Sequence, residues 1–150
     1  MTAIQHLGII NIQDEYGTPM QLLNNAMDRY KIWPLIDVCT NHPNKKMPVF
    51  FTKDQDALKQ NWNLDFFMNP PYSEVRRFMK YAYEQHQKWN VDALILTYSK
   101  TDTKWWHRYV EGKAEVHFIE GRIRFLNEAG HPTKHPAPYP SCWIIYRRKP

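Results

Sequence analysis

The run Ala93-Leu94-Ile95-Leu96 is apolar at every position and continues into Thr97. Side chains alternate between the two faces of a strand, so this run presents apolar atoms on both. Such a strand needs cover on both sides, the environment of a parallel sheet between helices. The rest of the chain supplies that cover. Short apolar runs alternate with segments of helical spacing, and no internal repeat, low-complexity tract or linker interrupts them. This pattern predicts a mostly parallel α/β sheet in one compact domain spanning 1–150.

Leu35-Ile36-Asp37-Val38-Cys39 reads as a first buried strand ending in a polar turn. Val49-Phe50-Phe51-Thr52 reads as a second and Leu64-Asp65-Phe66-Phe67-Met68 as a third. Thr18-Pro19 predicts a helix start, with Thr18 as the cap and Pro19 at the first helical position. Leu22, Leu23, Ala26, Met27 and Tyr30 then recur at helical spacing. Ser73 is expected to cap a second helix carrying Val75, Phe78, Met79, Ala82 and Tyr83. A short helix from Asp102 or Thr103 would carry Trp105, Trp106 and Tyr109 and end at Gly112. Val116-His117-Phe118-Ile119 and Arg122-Ile123-Arg124-Phe125 read as strands joined near Gly121. Residues 127–140 form a proline- and histidine-rich loop, and Ser141-Cys142-Trp143-Ile144-Ile145-Tyr146 is the closing strand.

A 150-residue domain buries about 70% of its unfolded surface, enough for a real core. No apolar run is long enough to span a bilayer, and the beginning of the chain lacks a basic segment followed by an apolar one. The expectation is a soluble protein with no membrane partner. Cys39 and Cys142 sit in strand-like contexts without metal-ligand spacing, which points to a reducing, cytoplasmic setting. A net charge of +5 and a pI near 9.2 suit a polyanionic partner without requiring one. The aromatic content of 15% serves either core filling or stacking on unpaired bases, and composition does not choose between them.

The strongest chemical signal is Asn69-Pro70-Pro71-Tyr72-Ser73 directly after an apolar strand. Open α/β sheets bind ligands at the carboxyl ends of their strands. Two prolines restrict the backbone and donate no hydrogen bonds, so their carbonyls can be held facing a ligand. The Asn69 amide oxygen and the Pro70 carbonyl could together accept both hydrogens of a planar amine, directing its lone pair towards a methyl electrophile. Tyr72 offers a ring face for stacking. The plainer alternative is a Pro-Pro turn between a strand and a helix.

The tetrapeptide resembles the catalytic motif of amino-methyltransferases, in which Asp, Asn or Ser precedes Pro-Pro and then Tyr or Phe. The flanking blocks resemble one branch, the small phage-type DNA N6-adenine methyltransferases (Dam-like). They are Asp14-Glu15-Tyr16-Gly17-Thr18-Pro19, Leu35-Ile36-Asp37-Val38-Cys39, Thr101-Asp102-Thr103-Lys104-Trp105-Trp106-His107, Glu120-Gly121-Arg122-Ile123-Arg124-Phe125 and Pro136-Ala137-Pro138-Tyr139-Pro140-Ser141. The resemblance runs in order over most of the chain. It implies a three-layer, Rossmann-like fold dependent on S-adenosyl-L-methionine, with Asn69, Pro70, Pro71 and Tyr72 as the catalytic loop and DNA as the partner.

By the same resemblance, Tyr16, Thr18 and Pro19 help form the cofactor pocket, and Asp37 lies near the amino group of the cofactor. Asp54 and Asp56 are candidates for its ribose or adenine; the alternative is that each is a helix-start carboxylate. No glycine-rich turn follows Asp37, where Thr40-Asn41-His42-Pro43 stands instead. The segment from Lys100 to His107 would border the target-base side. Its bland alternative is a helix with core tryptophans, the better reading for at least one of them. Lys104, Arg122 and Arg124 are candidate phosphate contacts, with a solvated strand face as the alternative for the two arginines. His131 and His135 lack the partners a zinc site needs, and no metal is expected.

The expected reaction is methylation of the exocyclic N6 amine of a flipped-out adenine. The rival readings are an N4-cytosine DNA methyltransferase, a glutamine-amide protein methyltransferase, and a nucleic-acid-binding module that has lost the cofactor. The chain has little room for a separate recognition domain, so specificity is low or comes from the 127–140 loop, a partner or a homodimer.

Overall fold

The computed structural model describes residues 17–41 and 43–150. Tyr16, with the rest of the predicted N-terminal signature before Gly17, lies outside these residues, as does His42.

The described chain runs α1 (Met20–Tyr30), β1 (Ile36–Asp37), β2 (Val49–Phe50), two short 3-10 turns, β3 (Phe66–Met68), a 3-10 turn at Tyr72–Glu74, α2 (Val75–Trp89), β4 (Ala93–Tyr98), α3 (Lys104–Tyr109), β5 (Glu115–Phe118) and β6 (Ser141–Tyr146). The strands form one six-stranded sheet in the order β2-β1-β3-β4-β6-β5. β2, β1, β3 and β4 are mutually parallel, and β6 pairs antiparallel with both β4 and β5. Mixed α/β architecture is thus observed as the sequence predicts.

Alternation along the strands divides the core in two. Phe66, Met68, Ala93, Ile95, Cys142 and Ile144 face one side, where Met79 and Ala82 of α2 and Trp105 and Trp106 of α3 cover them. Phe67, Leu94, Leu96, Trp143 and Ile145 face the other, under Leu23 and Ala26 of α1 and under Ile123, Phe125 and Ala137. All six residues of β4 are buried, as a two-faced apolar run requires. Each fully buried Leu or Ile there contributes about 1.5–3 kcal/mol. Both tryptophans of α3 are buried.

Several local expectations are corrected. Pro19, not Thr18, is the residue that starts α1, since its carbonyl accepts the first helical N–H, from Leu23 at 3.3 Å. Thr18 is 2% exposed and uses its hydroxyl elsewhere. α2 begins after Glu74 because Ser73 belongs to the preceding 3-10 turn. The first strand is shorter than expected, and Leu35 is exposed. Thr103 does cap α3, its Oγ1 accepting the Trp106 N–H at 3.3 Å.

Residues 122–125 form no strand of the sheet. Their alternation is as expected, with Ile123 and Phe125 buried and both arginines exposed. What they lack is a ladder partner. Ile123 and Phe125 instead accept N–H bonds from Ala137 and Thr133, at 2.7 and 2.9 Å. The antiparallel pairing of β5 with β6 needs no crossover helix between them. The connecting segment is therefore free to fold over the sheet as an extended loop.

Candidate active site at the ends of β1, β3 and β4

The sheet order reverses between β1 and β3. From β1 the chain goes outward to β2, whereas β3 is followed outward by β4, so a crevice opens beyond their carboxyl ends. Asp37 ends β1 and Asn69 follows Met68, the last residue of β3. The Pro71 carbonyl accepts the Glu74 N–H at 3.0 Å and closes the turn that carries Tyr72. Asn69 Nδ2 donates to Thr18 Oγ1 at 3.1 Å. This orients the carboxamide with its nitrogen towards Thr18 and its oxygen away from it.

A solvent-open cleft lies against this loop. Asn69, Pro70 and Tyr72 form one wall; Thr97, Tyr98 and Lys100, at the end of β4, form another. Val75, Trp105 and Phe125 complete it. The Tyr72 ring meets Tyr98 edge-on at 5.4 Å and lies nearly parallel to Tyr139 at 5.9 Å. Tyr139 hydrogen-bonds the Tyr72 hydroxyl and, with partial burial, pushes its pKa above the ordinary phenol value.

Asp37 is 1% exposed. Its Oδ2 accepts the Lys46 N–H at 3.0 Å, while Oδ1 has no hydrogen-bond partner among the described residues. Burial raises its pKa from 3.8 to about 7, against the lowering effect of the Lys46 and Cys39 N–H groups, the Lys46 charge and the Thr40 hydroxyl. A buried carboxylate with one oxygen unmatched is suited to a cationic ligand group. The donor chemistry therefore fits the amino group of S-adenosyl-L-methionine.

The loop after β1 is fixed without a glycine-rich turn. Asn44 N–H donates to Asn41 Oδ1 at 3.0 Å, Asn44 Nδ2 to the Asn127 carbonyl at 2.9 Å, and Asn41 Nδ2 to the Glu128 carbonyl at 3.1 Å. These asparagines tie the loop to the 127–130 turn. Gly17 is needed beside them, because a Cβ there would fall 2.5 Å from Asn44 Cγ.

The other candidates are spread around the site. Asp54 is exposed in the first 3-10 turn beyond β2 and Asp56 is exposed between the two turns, its Oδ2 3.6 Å from Lys59 Nζ. Lys104 is exposed at the start of α3. Both arginines brace the 127–140 loop: Arg122 Nη1 donates to the Pro138 carbonyl at 2.6 Å, and Arg124 Nη1 to the Thr133 and Lys134 carbonyls at 2.8 and 2.6 Å. The carbonyls are neutral, so these bonds themselves do not cancel the arginines' charge. The sequence reading left Tyr98 and Tyr139 without roles and placed Lys100 only in a segment bordering the target-base side. Tyr98 and Lys100 could have been found from their place at the carboxyl end of the clearest strand. Tyr139 reaches the site only through the loop's tertiary path. Among the described residues, no group of three or more His, Cys, Asp or Glu could hold a metal ion.

Residues 9–149 match the family described as DNA N-6-adenine-methyltransferase (Dam). The chain is 31% identical over 124 residues to a DNA N-6-adenine-methyltransferase of Haemophilus phage HP1 (strain HP1c1), covering 81% of this chain and 72% of that one. It is 29% identical over 114 residues to a DNA N-6-adenine-methyltransferase of Escherichia phage T1, covering 75% of this chain and 47% of that one. It thus spans about half the length of the T1 protein. With the family matched over nearly its whole length and Asn69, Pro70 and Tyr72 gathered at one cleft, the chain belongs to the DNA N-6-adenine-methyltransferase (Dam) family.

Proposed function

We propose that this protein transfers a methyl group from S-adenosyl-L-methionine to the exocyclic N6 amine of adenine in DNA. What most supports the reading is the family match over residues 9–149, in a chain whose Asn69-Pro70-Pro71-Tyr72 loop leaves β3 into a cleft at the point where the sheet order reverses. That reversal and the antiparallel β6 suit a Rossmann-like methyltransferase fold in a single domain.

When bound, the cofactor supplies a methylsulfonium, already a strong electrophile. The protein's work is alignment, which can contribute about 7–11 kcal/mol. Asp37 Oδ1 would accept from the cofactor's amino group, with Thr18 and Pro19 shaping the pocket beside it and Tyr16 assigned to it by family resemblance. Asp54 and Asp56, at the end of β2, are the candidate acceptors for the ribose or adenine moiety. The Asn69 oxygen and the Pro70 carbonyl accept the two hydrogens of the target amine, and Pro71 stiffens the loop. Held in this way, the amine nitrogen would turn its lone pair towards the methyl group of a bound cofactor, and the proton it sheds after transfer would pass to water. Flipping the adenine out costs a few kcal/mol, and stacking on Tyr72, worth about 1–3 kcal/mol, offsets much of that. Lys104, Arg122 and Arg124 supply exposed positive charge for phosphates. This chemistry belongs where DNA is, in a cytoplasmic setting; a homodimer would enlarge the DNA surface.

The test is mass spectrometry of nucleosides from unmodified DNA incubated with protein and cofactor, with Tyr72→Ala as control. N6-methyladenine is expected from the wild type. N4-methylcytosine as the main product would overturn the adenine assignment, and methyl incorporation only into protein would overturn the substrate class.

A further inference from the structure

We propose that Lys100 is the contact for the phosphate of the flipped nucleotide, and that Tyr139 is the positioning residue that holds its ammonium ready at the mouth of the cleft. The inference rests on the methyltransferase reading above and assigns two residues that reading leaves without roles.

Lys100 is anchored by its backbone at the turn between β4 and α3. Its N–H donates to the Tyr98 carbonyl at 2.9 Å, and its own carbonyl accepts the Thr103 N–H at 3.2 Å and the Thr103 hydroxyl at 2.8 Å. Its side chain lines the cleft beside Asn69 and Tyr72, and Nζ lies 3.2 Å from the centre of the Tyr139 ring. Tyr139 is fixed from both sides. Arg122 holds the carbonyl of Pro138, and the Ser99 N–H holds that of Pro140 at 2.9 Å. The backbone that carries the ring is therefore held before any ligand arrives.

The charge balance explains why an ammonium in this cleft would need such a holder. Methyl transfer moves positive charge onto the target nitrogen, so a lysine free to approach that nitrogen would raise the barrier. The negative face of an aromatic ring attracts the ammonium instead. A flipped base is neutral, and its nearest anion is its own backbone phosphate. A compact point charge on a flexible stem suits that ligand. The two aromatic planes leave little room as they stand. A base between Tyr72 and Tyr139 needs about 7 Å, twice the stacking step, against the 5.9 Å between ring centres. With the backbone on either side of Tyr139 held, a base entering beside Tyr72 would turn only the Tyr139 ring aside, and the Lys100 ammonium, on its flexible stem, would swing from the ring to the phosphate.

The test uses the full chain and a fluorescein-labelled DNA duplex in which the wild type has deposited N6-methyladenine. Failure of the wild type to methylate any DNA would count against the methyltransferase reading, whereas the variants address Lys100. Lys100→Met should lower the slope of log affinity against log salt by about one unit. At physiological salt that amounts to a loss of about fivefold in affinity, appearing in KM for DNA and not in kcat. Lys100→Arg should restore the slope. Tyr139→Phe should keep it, and Tyr139→Leu should weaken DNA binding with cofactor binding retained. An unchanged slope in Lys100→Met, with fold confirmed by circular dichroism, overturns the proposal. So does a loss confined to kcat at saturating DNA, which would place the ammonium at the base. Should Lys100→Met not fold, Lys100→Gln removes the same charge.

Discussion

Binding of S-adenosyl-L-methionine should depend on pH through Asp37. Its carboxyl titrates near pH 7 in the free protein, about three units above the ordinary 3.8. At 1.36 kcal/mol per unit, holding it ionised in the folded chain costs about 4 kcal/mol. A carboxyl raised by folding contributes stability that is full below pH 4 and lost as pH rises through about 7. A cationic ligand reverses that preference, because an ammonium against Oδ1 favours the carboxylate. The binding-competent pair is therefore ionised Asp37 with a protonated ligand amine, whose ordinary pKa is about 7.7–8.0. Affinity should peak near pH 7.4 and fall towards tenfold per pH unit on either side. At pH 6 only about a tenth of Asp37 is ionised, a loss of about 1.4 kcal/mol. Calorimetry in buffers of different ionisation enthalpy should show release of nearly one proton on binding at pH 6. Asp37→Asn should bind more weakly and lose the acid limb. Wild-type affinity that stays constant from pH 5.5 to 7.4 would refute the reasoning.

Two further perturbations probe the site and its frame. Asn69→Ala should lower turnover about a hundredfold or more while leaving most cofactor affinity, because its oxygen interacts best as the amine attacks; single-turnover methylation measures this, and a wild-type rate would remove Asn69 from the mechanism. Gly17→Ala should destabilise by about 1–3 kcal/mol, since its Cβ would meet the buried, tethered Asn44 carboxamide. Thermal unfolding should fall by about 2–4 °C per kcal/mol, and an unchanged midpoint would contradict the packing described.

Period and composition made much of the architecture legible. A strand apolar on both faces, as in Ala93–Tyr98, has few stable environments, so the sequence alone called for a sheet covered on both sides. Helical spacing located α1 and α2 because the faces they bury are local patterns. The Asn69-Pro70-Pro71-Tyr72 loop was legible too, since proline restricts its own backbone wherever it stands. Partner choice was not legible. Arg122-Ile123-Arg124-Phe125 has the alternation of a strand, but a strand also needs a neighbour, and the loop from 127 onwards supplied different bonds. Thr18 has the chemistry of a helix cap, yet its hydroxyl lies under Asn69, a residue distant in sequence. Family resemblance singled out Asp37, with a solvated strand-end carboxylate as the alternative; only the packing around it decided that it would be buried with one oxygen unpartnered among the described residues. Tyr139 reached Tyr72 and Lys100 because Arg122 and Ser99 hold the carbonyls on either side of it. Local sequence sets what each residue can do, whereas hydrogen-bond partners and desolvation depend on which distant segments the closed fold brings within 3 Å, and that only the tertiary structure decided.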